Sequence, residues 1–431
     1  MNFPKMGLIR QIFESSDPPN AGQCVHAELQ RTGLLKVVKK NQKVLITAGS
    51  RGIESMVDVL RACVEAVKQA DGDPFIFPAM GSHGRGEPQG QVEVLKHLGI
   101  TPSSVGAPIY AEMAMSELGS VDEDCAVYVD KAAIDADHIL LINRIKDHTE
   151  YIGETESGLL KLAVVGLGRQ PGAENMHRLA VNVTYQNAIH AMARLLFEKL
   201  NVLGGIAILE DHFNRLRRIE VVAAADIIER EAALLEEAKE FKPKLPFEEL
   251  DVLLVDEIGK EISGAGMDTK VIGRIMNVYE KECEKPKITR IIVRDLSEST
   301  YGNAVGIGLA DYTTRKAVDK IDFKALNLNC ITASAPEKGK LPIALPTDRN
   351  ALEAAFQTIG MWTPGKVKMA WISNTSDLEW LAVSSALVEQ VQRQQDIHVA
   401  EEWFDLPFDS EQNLPKLKKF LKDRGILERM I

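Results

Sequence analysis

The stretch 143–177 places two histidines and one lysine in a segment that is rich in glycine and apolar residues. It reads NRIKDHTEYIGETESGLLKLAVVGLGRQPGAENMH and carries His148, Lys161 and His177. Burying an unpaired ammonium is costly, so Lys161 within SGLLKLAVVGLG is expected either to extend to the surface or to be used chemically. Because the glycines let the backbone come close to a bulky ligand, we interpret this stretch as part of an active site.

Two further polar residues follow predicted strands. Arg51 lies in the turn AGSRGI after the predicted strand 43–47, and His83 lies in PAMGSHGRG after the predicted strand 74–77. In open α/β sheets, ligands bind outside the carboxyl ends of the strands, so both side chains can face one site. Such an arginine can hold a carboxylate or a phosphate, or pair locally at the surface. The histidine can act as an acid or base, or be solvated.

Taken together, these residue types indicate proton transfer beside a bound cofactor. Two histidines flanking a reacting carbon can each act as a general base, an arginine can hold a carboxylate, and a lysine can anchor a group covalently. A third histidine can bind a metal, but a single histidine is too few ligands, so the other donors must come from a cofactor. Each histidine taken alone is equally compatible with a structural role. We assign structural roles to the remaining histidines, His26, His97, His138, His190, His212 and His398.

The predicted elements alternate between strands and helices, which is typical of α/β domains with mostly parallel sheets. The predicted strands are 43–47, 74–77, 105–111, 126–129, 138–142, 204–209, 251–255, 288–293 and 367–372. The predicted helices are 56–70, 91–98, 181–200, 224–241, 311–321, 349–359, 378–394 and 417–427. The polar, proline-bearing segment KPKLPFEEL predicts two α/β domains, 1–245 and 246–431. We expect the substrate to bind in an interdomain cleft, with the second domain closing over it and the last helix packing back.

The composition is that of a soluble globular protein, with 431 residues of which 45% are hydrophobic and 26% charged. The net charge of -11 argues against a nucleic-acid or anionic-membrane partner. No run approaches the ~18 apolar residues of a transmembrane helix, and the N-terminus lacks the features of a signal peptide. Five scattered cysteines without a C-x-x-C pair indicate a reducing compartment, with neither a zinc site nor a disulfide framework. We therefore expect a cytoplasmic protein with a small-molecule substrate, and a homo-oligomer is left open.

Four motifs, taken in order, resemble the nickel-dependent lactate racemase superfamily, and more closely its large branch of 2-hydroxyacid racemases and epimerases. They are SRGI (50–53), AMGSHG (79–84), NRIKDHTEYIGETESGLLK (143–161) and GAENMH (172–177). The resemblance extends to DEIGKEISGAGMD (256–268) and GNAVGIGLADYTTR (302–315). The ordered set is specific, although no single motif is.

The resemblance implies a cofactor and a role for each residue. The cofactor is a nickel-pincer nucleotide, a pyridinium mononucleotide that holds nickel through two sulfurs and a ring carbon. Lys161 matches the lysine that tethers it, and His177, 16 residues later, matches the histidine that binds the nickel. His83 and His148 match the two catalytic histidines, and Arg51 matches an arginine near the substrate. The implied reaction removes the C2 hydrogen as hydride and returns it to the opposite face.

The sequence departs from the founding racemases in two ways. The spacing from His148 to Lys161 is longer, and Gly-Leu-Leu precedes the lysine where the founders have paired glycines. The candidates for binding the substrate carboxylate in the C-terminal domain are Lys260, Lys270 and Arg274. These differences predict a substrate other than lactate, and we expect a longer 2-hydroxyacid such as an aldonic sugar acid.

Two other functions stay open at the level of the sequence. A nicotinamide-dependent 2-hydroxyacid dehydrogenase would use His83 or His148 as its base, although TAGSRGI matches the G-x-G-x-x-G fingerprint poorly. A non-catalytic hydroxyacid-binding protein would keep the fold without the cofactor.

Overall fold

The computed structural model describes residues 1–14, 17–81, 83–122 and 125–429. They form two compact units. The N-terminal unit is Ser15–Lys242, and the C-terminal unit consists of Pro243–Ile431 together with Met1–Glu14.

The strands follow the chain in this order: β1 (Met6–Gln11), β2 (Lys43–Ala48), β3 (Asp73–Pro78), β4 (Met115–Asp122), β5 (Cys125–Asp130), β6 (His138–Arg144), β7 (Val202–Glu210), β8 (Leu216–Ala223), β9 (Glu249–Val255), β10 (Lys287–Val293), β11 (Tyr312–Thr314), β12 (Ile343–Leu345), β13 (Met369–Ile372), β14 (Trp380–Ser384) and β15 (Ile397–Phe404).

The helices are α1 (Ala21–Thr32), α2 (Met56–Gln69), α3 (Pro88–His97), α4 (Pro102–Val105), α5 (Lys131–Asp135), α6 (Leu159–Lys161), α7 (Arg169–Val183), α8 (Tyr185–Lys199), α9 (Ile227–Glu240), α10 (Thr269–Ile272), α11 (Arg315–Asp319), α12 (Phe323–Thr332), α13 (Asp348–Gln357), α14 (Ser385–Val391), α15 (Leu417–Asp423) and α16 (Ile426–Arg429). A π-helix, Leu162–Leu167, lies between α6 and α7. Across the described residues, we find no helix that combines the length and the apolar character needed to cross a membrane.

In the described part of the N-terminal unit, a five-stranded sheet has the order β3-β2-β6-β7-β8. β2 is parallel to β3 and β6, and β6 is parallel to β7, whereas β8 is antiparallel to β7. β2 and β6 are buried apolar runs, as expected for parallel strands covered on both faces. The carboxyl ends of β2, β3 and β6 therefore meet at one edge of the sheet. The loops that carry Arg51, His83 and His148 begin there.

The described part of the C-terminal unit contains an eight-stranded sheet with the order β12-β11-β10-β9-β13-β14-β1-β15. The pairs from β12 to β13 are parallel, and the pairs from β13 to β15 are antiparallel. β1 lies between β14 and β15. From the sequence, residues 1–245 were predicted to form one domain, and no strand was predicted before residue 43. The difference arises because a short apolar strand does not reveal which sheet it will join.

The predicted fold class is confirmed, since both units are α/β with mostly parallel sheets. Four predicted elements differ from the structure in detail. The range 105–111 is not a strand but a loop, which one bridge between Ile109 and Ile76 holds beside β3. The range 181–200 is two helices, because Thr184 has φ +77° and interrupts the helical backbone. The ranges 311–321 and 378–394 begin with strands, β11 and β14, because their first residues pair into the sheet.

The last long helix of the C-terminal unit packs on that unit's own core. Leu417, Phe420 and Leu421 of α15 are buried in a cluster with Trp371 of β13 and Phe404 of β15. The chain end therefore adds to the apolar layer on one face of the eight-stranded sheet.

Candidate functional site

The loop after β6 brings His148 and Lys161 together. Two backbone hydrogen bonds between Lys146 and Ser157, of 2.8 and 2.9 Å, close this loop on itself. The chain therefore returns to the end of the strand before α6 begins. As a result, His148 Nε2 lies 2.6 Å from Lys161 Nζ.

The hydrogen bonds of His148 indicate which ring nitrogen carries the proton when the ring is neutral. The residue is 8% exposed, its backbone N–H donates to Glu156 Oε2 at 2.5 Å, and its Nδ1 accepts the backbone N–H of Glu150 at 3.1 Å. A neutral imidazole with Nδ1 as acceptor carries its proton on Nε2, which faces Lys161. An ammonium has no lone pair that could accept this proton. In that tautomer the contact pairs the Nε2–H donor with the lone pair of an uncharged Lys161 amine, which is the nucleophilic form that covalent attachment requires.

Two stacked tyrosines connect His148 to His177. The rings of Tyr151 and Tyr185 are 5.2 Å apart and nearly parallel, and the His148 ring lies 5.0 Å from Tyr151 and 5.8 Å from Tyr185. The Tyr185 hydroxyl is 2.9 Å from His177 Nδ1, and the Tyr151 hydroxyl donates to the Glu156 carbonyl at 2.8 Å. Neither tyrosine was predicted as a site residue, although Tyr151 lies inside the motif stretch and Tyr185 follows it closely.

Lys161 and His177 lie on one irregular helical stretch. Lys161 ends α6, the π-helix Leu162–Leu167 follows, and His177 lies in α7. π-helical turns are rare and occur frequently at functional sites. A Cβ on Gly166 would lie 2.9 Å from the Ala79 Cβ, so glycine lets the π-helix pack tightly on the residue after β3.

A buried carboxylate on α9 caps the start of this stretch. Glu231 Oε2 accepts the backbone N–H groups of Leu159 and Leu160 at 2.7 and 3.1 Å. Its other oxygen, Oε1, has no hydrogen-bond partner among the described residues. Burial raises the pKa of Glu231 to about 7, and the two backbone donors only partly oppose this shift. The cap is thus an acid that changes charge near neutral pH.

His83 follows β3 in a loop whose backbone is held from α3. The Gln91 side chain donates from Nε2 to the carbonyl oxygens of Met80, Gly81 and His83 at 2.7, 3.1 and 3.3 Å. Gln91 is fully buried and was not selected from the sequence. The structure places His83 at the same sheet edge as the loop of His148, and the catalytic role of either histidine stays a prediction.

Arg51 and Arg144 bring positive charge to this edge of the sheet. Arg51 is exposed, and among the described residues it has no hydrogen-bond or ion-pair partner. Desolvation by the surrounding protein lowers the pKa of Arg51, and the positive charge of Arg144 lowers it further. Because the Arg51 side chain is exposed, solvent weakens this shift. Arg144 pairs with Glu210, whose Oε1 is buried without a hydrogen-bond partner in the described part of the chain. Burial raises the pKa of Glu210, although Arg144 opposes the shift.

The three candidates in the C-terminal unit differ in their contacts. Arg274 pairs with Asp311 at 2.8 Å and donates to three backbone carbonyls, which favours a structural role. Lys260 Nζ donates to Asn329 Oδ1 at 3.0 Å, and Lys270 lies on the short helix α10. A role in substrate binding stays a prediction for all three.

The protein's own metal donors are few. Among the residues that the structure describes, no three His, Cys, Asp or Glu side chains converge as a metal-binding group. A metal at His177 therefore needs most of its ligands from a bound molecule. Metal-binding histidines usually have their second ring nitrogen held by another group, and Tyr185 holds Nδ1 of His177 in this way. The donor set fits a cofactor that brings its own metal ligands.

Comparisons with known proteins agree with this fold. A family model described as "Domain of unknown function (DUF362)" matches residues 13–236, just over half of the chain. No curated protein matches the sequence. The chain is similar to the solved structure of the lactate racemase apoprotein from Thermoanaerobacterium thermosaccharolyticum, with a TM-score of 0.50 and 12% identity over 90% of this chain and 96% of that chain. At this identity the likeness shows the fold alone, and it confirms the fold that the motifs predict.

Proposed function

The chain belongs to the DUF362 family, and from its lactate racemase fold and the residues around Lys161 we propose that it is a racemase or epimerase acting at C2 of a 2-hydroxyacid. The observation that carries the proposal is the 2.6 Å contact between Lys161 Nζ and His148 Nε2. His177 joins the same run of contacts through the hydroxyl of Tyr185. The side chains that we assign as nucleophile, acid–base group and metal ligand are thereby linked by direct contacts.

This arrangement suits the nickel-pincer nucleotide. Lys161 would hold the cofactor covalently, and His177 would complete the coordination of its nickel. When bound, the cofactor supplies a carbon that accepts the C2 hydrogen as hydride, which avoids forming a carbanion next to the carboxylate. The remaining chemistry falls to the side chains of the protein.

His148 and His83 would move the proton of the C2 hydroxyl. Oxidation at C2 requires a base for this proton, and histidine exchanges protons near neutral pH. The Glu150 backbone N–H orients the His148 ring through Nδ1 and leaves Nε2 facing the reacting groups. To accept the hydroxyl proton at Nε2, the ring would have to hold its own proton on Nδ1 and give up that hydrogen bond. With Lys161 tethered to the cofactor, Nε2 of His148 would be available to the substrate hydroxyl. Because inversion needs a proton acceptor for each enantiomer, His83 would serve as the second acid–base group.

The charged groups at the sheet edge support a polyhydroxylated acid as substrate. The exposed guanidinium of Arg51, which has no ion-pair partner among the described residues, can bind a carboxylate through two parallel hydrogen bonds. Glu210 Oε1 is a buried acceptor that lacks a donor among the described residues. Because this oxygen is shielded from solvent, an additional hydroxyl on the substrate would reach it only after the Glu210 side chain moves, and the bond would then satisfy an acceptor that is otherwise unpaired within the described part of the chain. An aldonic acid carries both a carboxylate and several hydroxyls.

The test is co-expression with the enzymes that build the cofactor, followed by intact mass, nickel content and turnover of 2-hydroxyacids. We expect a nucleotide-sized adduct on Lys161, about one nickel per chain as single-site binding requires, and inversion at C2. Lys161→Ala should fold but carry neither adduct nor activity, whereas Lys199→Ala, an exposed control, should behave as the wild type. An active Lys161→Ala enzyme contradicts the proposal.

The same samples distinguish the two alternatives. A chain without adduct or nickel that binds NADH saturably would be a nicotinamide-dependent dehydrogenase. Thermal stabilisation by a hydroxyacid without any turnover would indicate a binding protein.

A further inference from the structure

A group of three buried polar side chains lies beside the loop of His83, and the proposed reaction uses none of them. Gln91, Arg169 and Asp130 are 0%, 1% and 0% exposed, respectively. They come from α3, α7 and the end of β5. We call this group the polar clamp. Burying so many polar atoms is favourable only where they bond to one another or to the backbone.

Gln91 is the member of the polar clamp that holds the loop. Its side-chain amide faces the carbonyl oxygens of Met80, Gly81 and His83, all within 3.3 Å. These residues leave β3 and do not continue the sheet, so their carbonyls need a donor from elsewhere. The Gln91 amide therefore ties the described backbone around His83 to α3.

Arg169 determines which way the Gln91 amide points. Its guanidinium donates to Gln91 Oε1, forms an ion pair with Asp130 at 2.7 Å and lies 4.5 Å from the centre of the Phe77 ring. An arginine can only donate, so the oxygen of the amide must face it and the nitrogen must face the loop. The buried guanidinium of Arg169 thus fixes which end of the Gln91 amide faces the loop.

Arg169 also belongs to the helix of His177. It is the first residue of α7 and has φ +48°, a conformation that a non-glycine residue holds only when its surroundings enforce it. The loop also packs closely on this helix. A Cβ on Gly81 would lie 3.4 Å from the Ala173 Cβ, which is van der Waals contact distance. The polar clamp thus joins the loop after β3 to α7.

We propose that Gln91 is a positioning residue which, held by Arg169 and Asp130, fixes the loop of His83 against the helix of His177. This inference rests on the proposed function for the roles of the two histidines. Gln91 acts through the loop backbone from a fully buried position. It is therefore distinct from the groups assigned to catalysis.

The first test is independent of activity. Gln91→Glu keeps an oxygen for Arg169 but places a second oxygen, instead of an N–H donor, against the three carbonyls. We expect faster hydrogen–deuterium exchange in peptides covering 83–90 and unchanged exchange in 138–144. The matched control is Asn201→Asp, the same chemical change where Asn201 donates to the Asp137 carbonyl before the sheet begins. Unchanged exchange at 83–90 overturns the proposal. Gln91→Met, which lacks both polar atoms, replaces Gln91→Glu if that variant does not fold.

The second test couples Gln91 to His83. In the cofactor-loaded enzyme, Gln91→Glu should lower kcat about 10- to 100-fold, the effect of a displaced catalytic group, with little change in KM. In a His83→Asn background the same substitution should cause no further loss, because the group that it positions is absent. Additive losses overturn the proposal. If the wild-type protein shows no turnover while Gln91→Glu still exchanges faster, the proposed function fails and the hold of Gln91 on the loop stands.

Discussion

Glu231 Oε2 accepts the backbone N–H of Leu159 at 2.7 Å, so a carboxylate buried in α9 caps the helical turn that presents Lys161. The two segments are far apart in the sequence and meet at Gly158, where a side chain of any size would clash with the carboxylate. Any change in the charge of Glu231 is therefore felt at the start of the helix that carries the lysine.

The stability of the protein should fall between about pH 5 and pH 7 because of Glu231. Its pKa is raised from 4.5 to about 7 in the fold, so the folded state binds its proton more tightly than the unfolded chain. The stabilisation is present while the group is protonated in the fold and is lost as pH rises through this window. The shift corresponds to about 3 kcal/mol in the free energy of unfolding. Glu231→Gln should remove this slope, as measured by urea unfolding at several pH values.

A matched control for this slope lies on the same helix. Glu236 is exposed and pairs only at the surface with Lys239, so Glu236→Gln should keep the wild-type pH dependence. An unchanged slope in Glu231→Gln would show that the buried carboxylate does not titrate in this range.

Tyr185→Phe should weaken nickel binding by the loaded enzyme. The substitution keeps the ring that stacks on Tyr151 but removes the hydroxyl that holds His177 Nδ1. Loss of such an outer partner typically costs about 10- to 100-fold in metal affinity. Nickel retained after dialysis against a chelator measures the effect. Tyr151→Phe is the control, because the Tyr151 hydroxyl donates to the Glu156 backbone carbonyl at 2.8 Å, and this variant should retain nickel. Equal retention by both variants would contradict the role of Tyr185.

Lys161 of the cofactor-free protein should react readily with an acylating reagent at neutral pH. With the His148 proton on Nε2, the facing Lys161 amine is uncharged, whereas Lys242, also partly buried, is ion-paired with Asp147. Peptide mapping by mass spectrometry compares the rates of modification at the two lysines. His148→Phe should slow the reaction at Lys161 relative to Lys242. Faster acylation of Lys242 in the wild type would mean that Lys161 is held as an ammonium.

Arg51→Lys should raise KM about tenfold and leave kcat nearly unchanged, because a lysine keeps the charge but loses the planar fork that binds a carboxylate. Steady-state kinetics with the best 2-hydroxyacid substrate measures both constants. Arg61→Lys is the control, since Arg61 pairs with Asp58 at the surface of α2. A fall in kcat with an unchanged KM would place Arg51 at the reacting atoms instead of at the carboxylate.

The sequence was most informative where local pattern and position decide the structure. β2, β3 and β6 are short apolar runs bounded by glycine or polar turns, and this pattern predicts buried parallel strands. His148 and Lys161 belong to one loop, so their proximity needed little tertiary information. The pairing of β1 with strands near the chain end could not be predicted, because nothing local specifies a partner almost the whole chain away.

The missed residues of the site left weaker signals. Glu231 occupies an apolar-face position of α9, four residues after Ile227 and three before Leu234, all of them buried. Gln91 likewise lies on the buried face of α3, together with Leu95 four residues later. A polar residue on the apolar face of a helix implies a buried partner, but the partner itself, such as Arg169 for Gln91, depends on how separate elements pack.

The π-helix affects the direction in which Lys161 and His177 point relative to each other. Each residue of an α-helix advances the chain by ~100° about the axis, following from 3.6 residues per turn. Removing one residue within Leu162–Leu167 would turn α7, with His177, by about that angle relative to Lys161. The number of residues between Lys161 and His177 therefore cannot change without also changing the angle between their side chains about the helix axis. A relative with a regular helix here would need a different spacing to aim the same two side chains at one ligand.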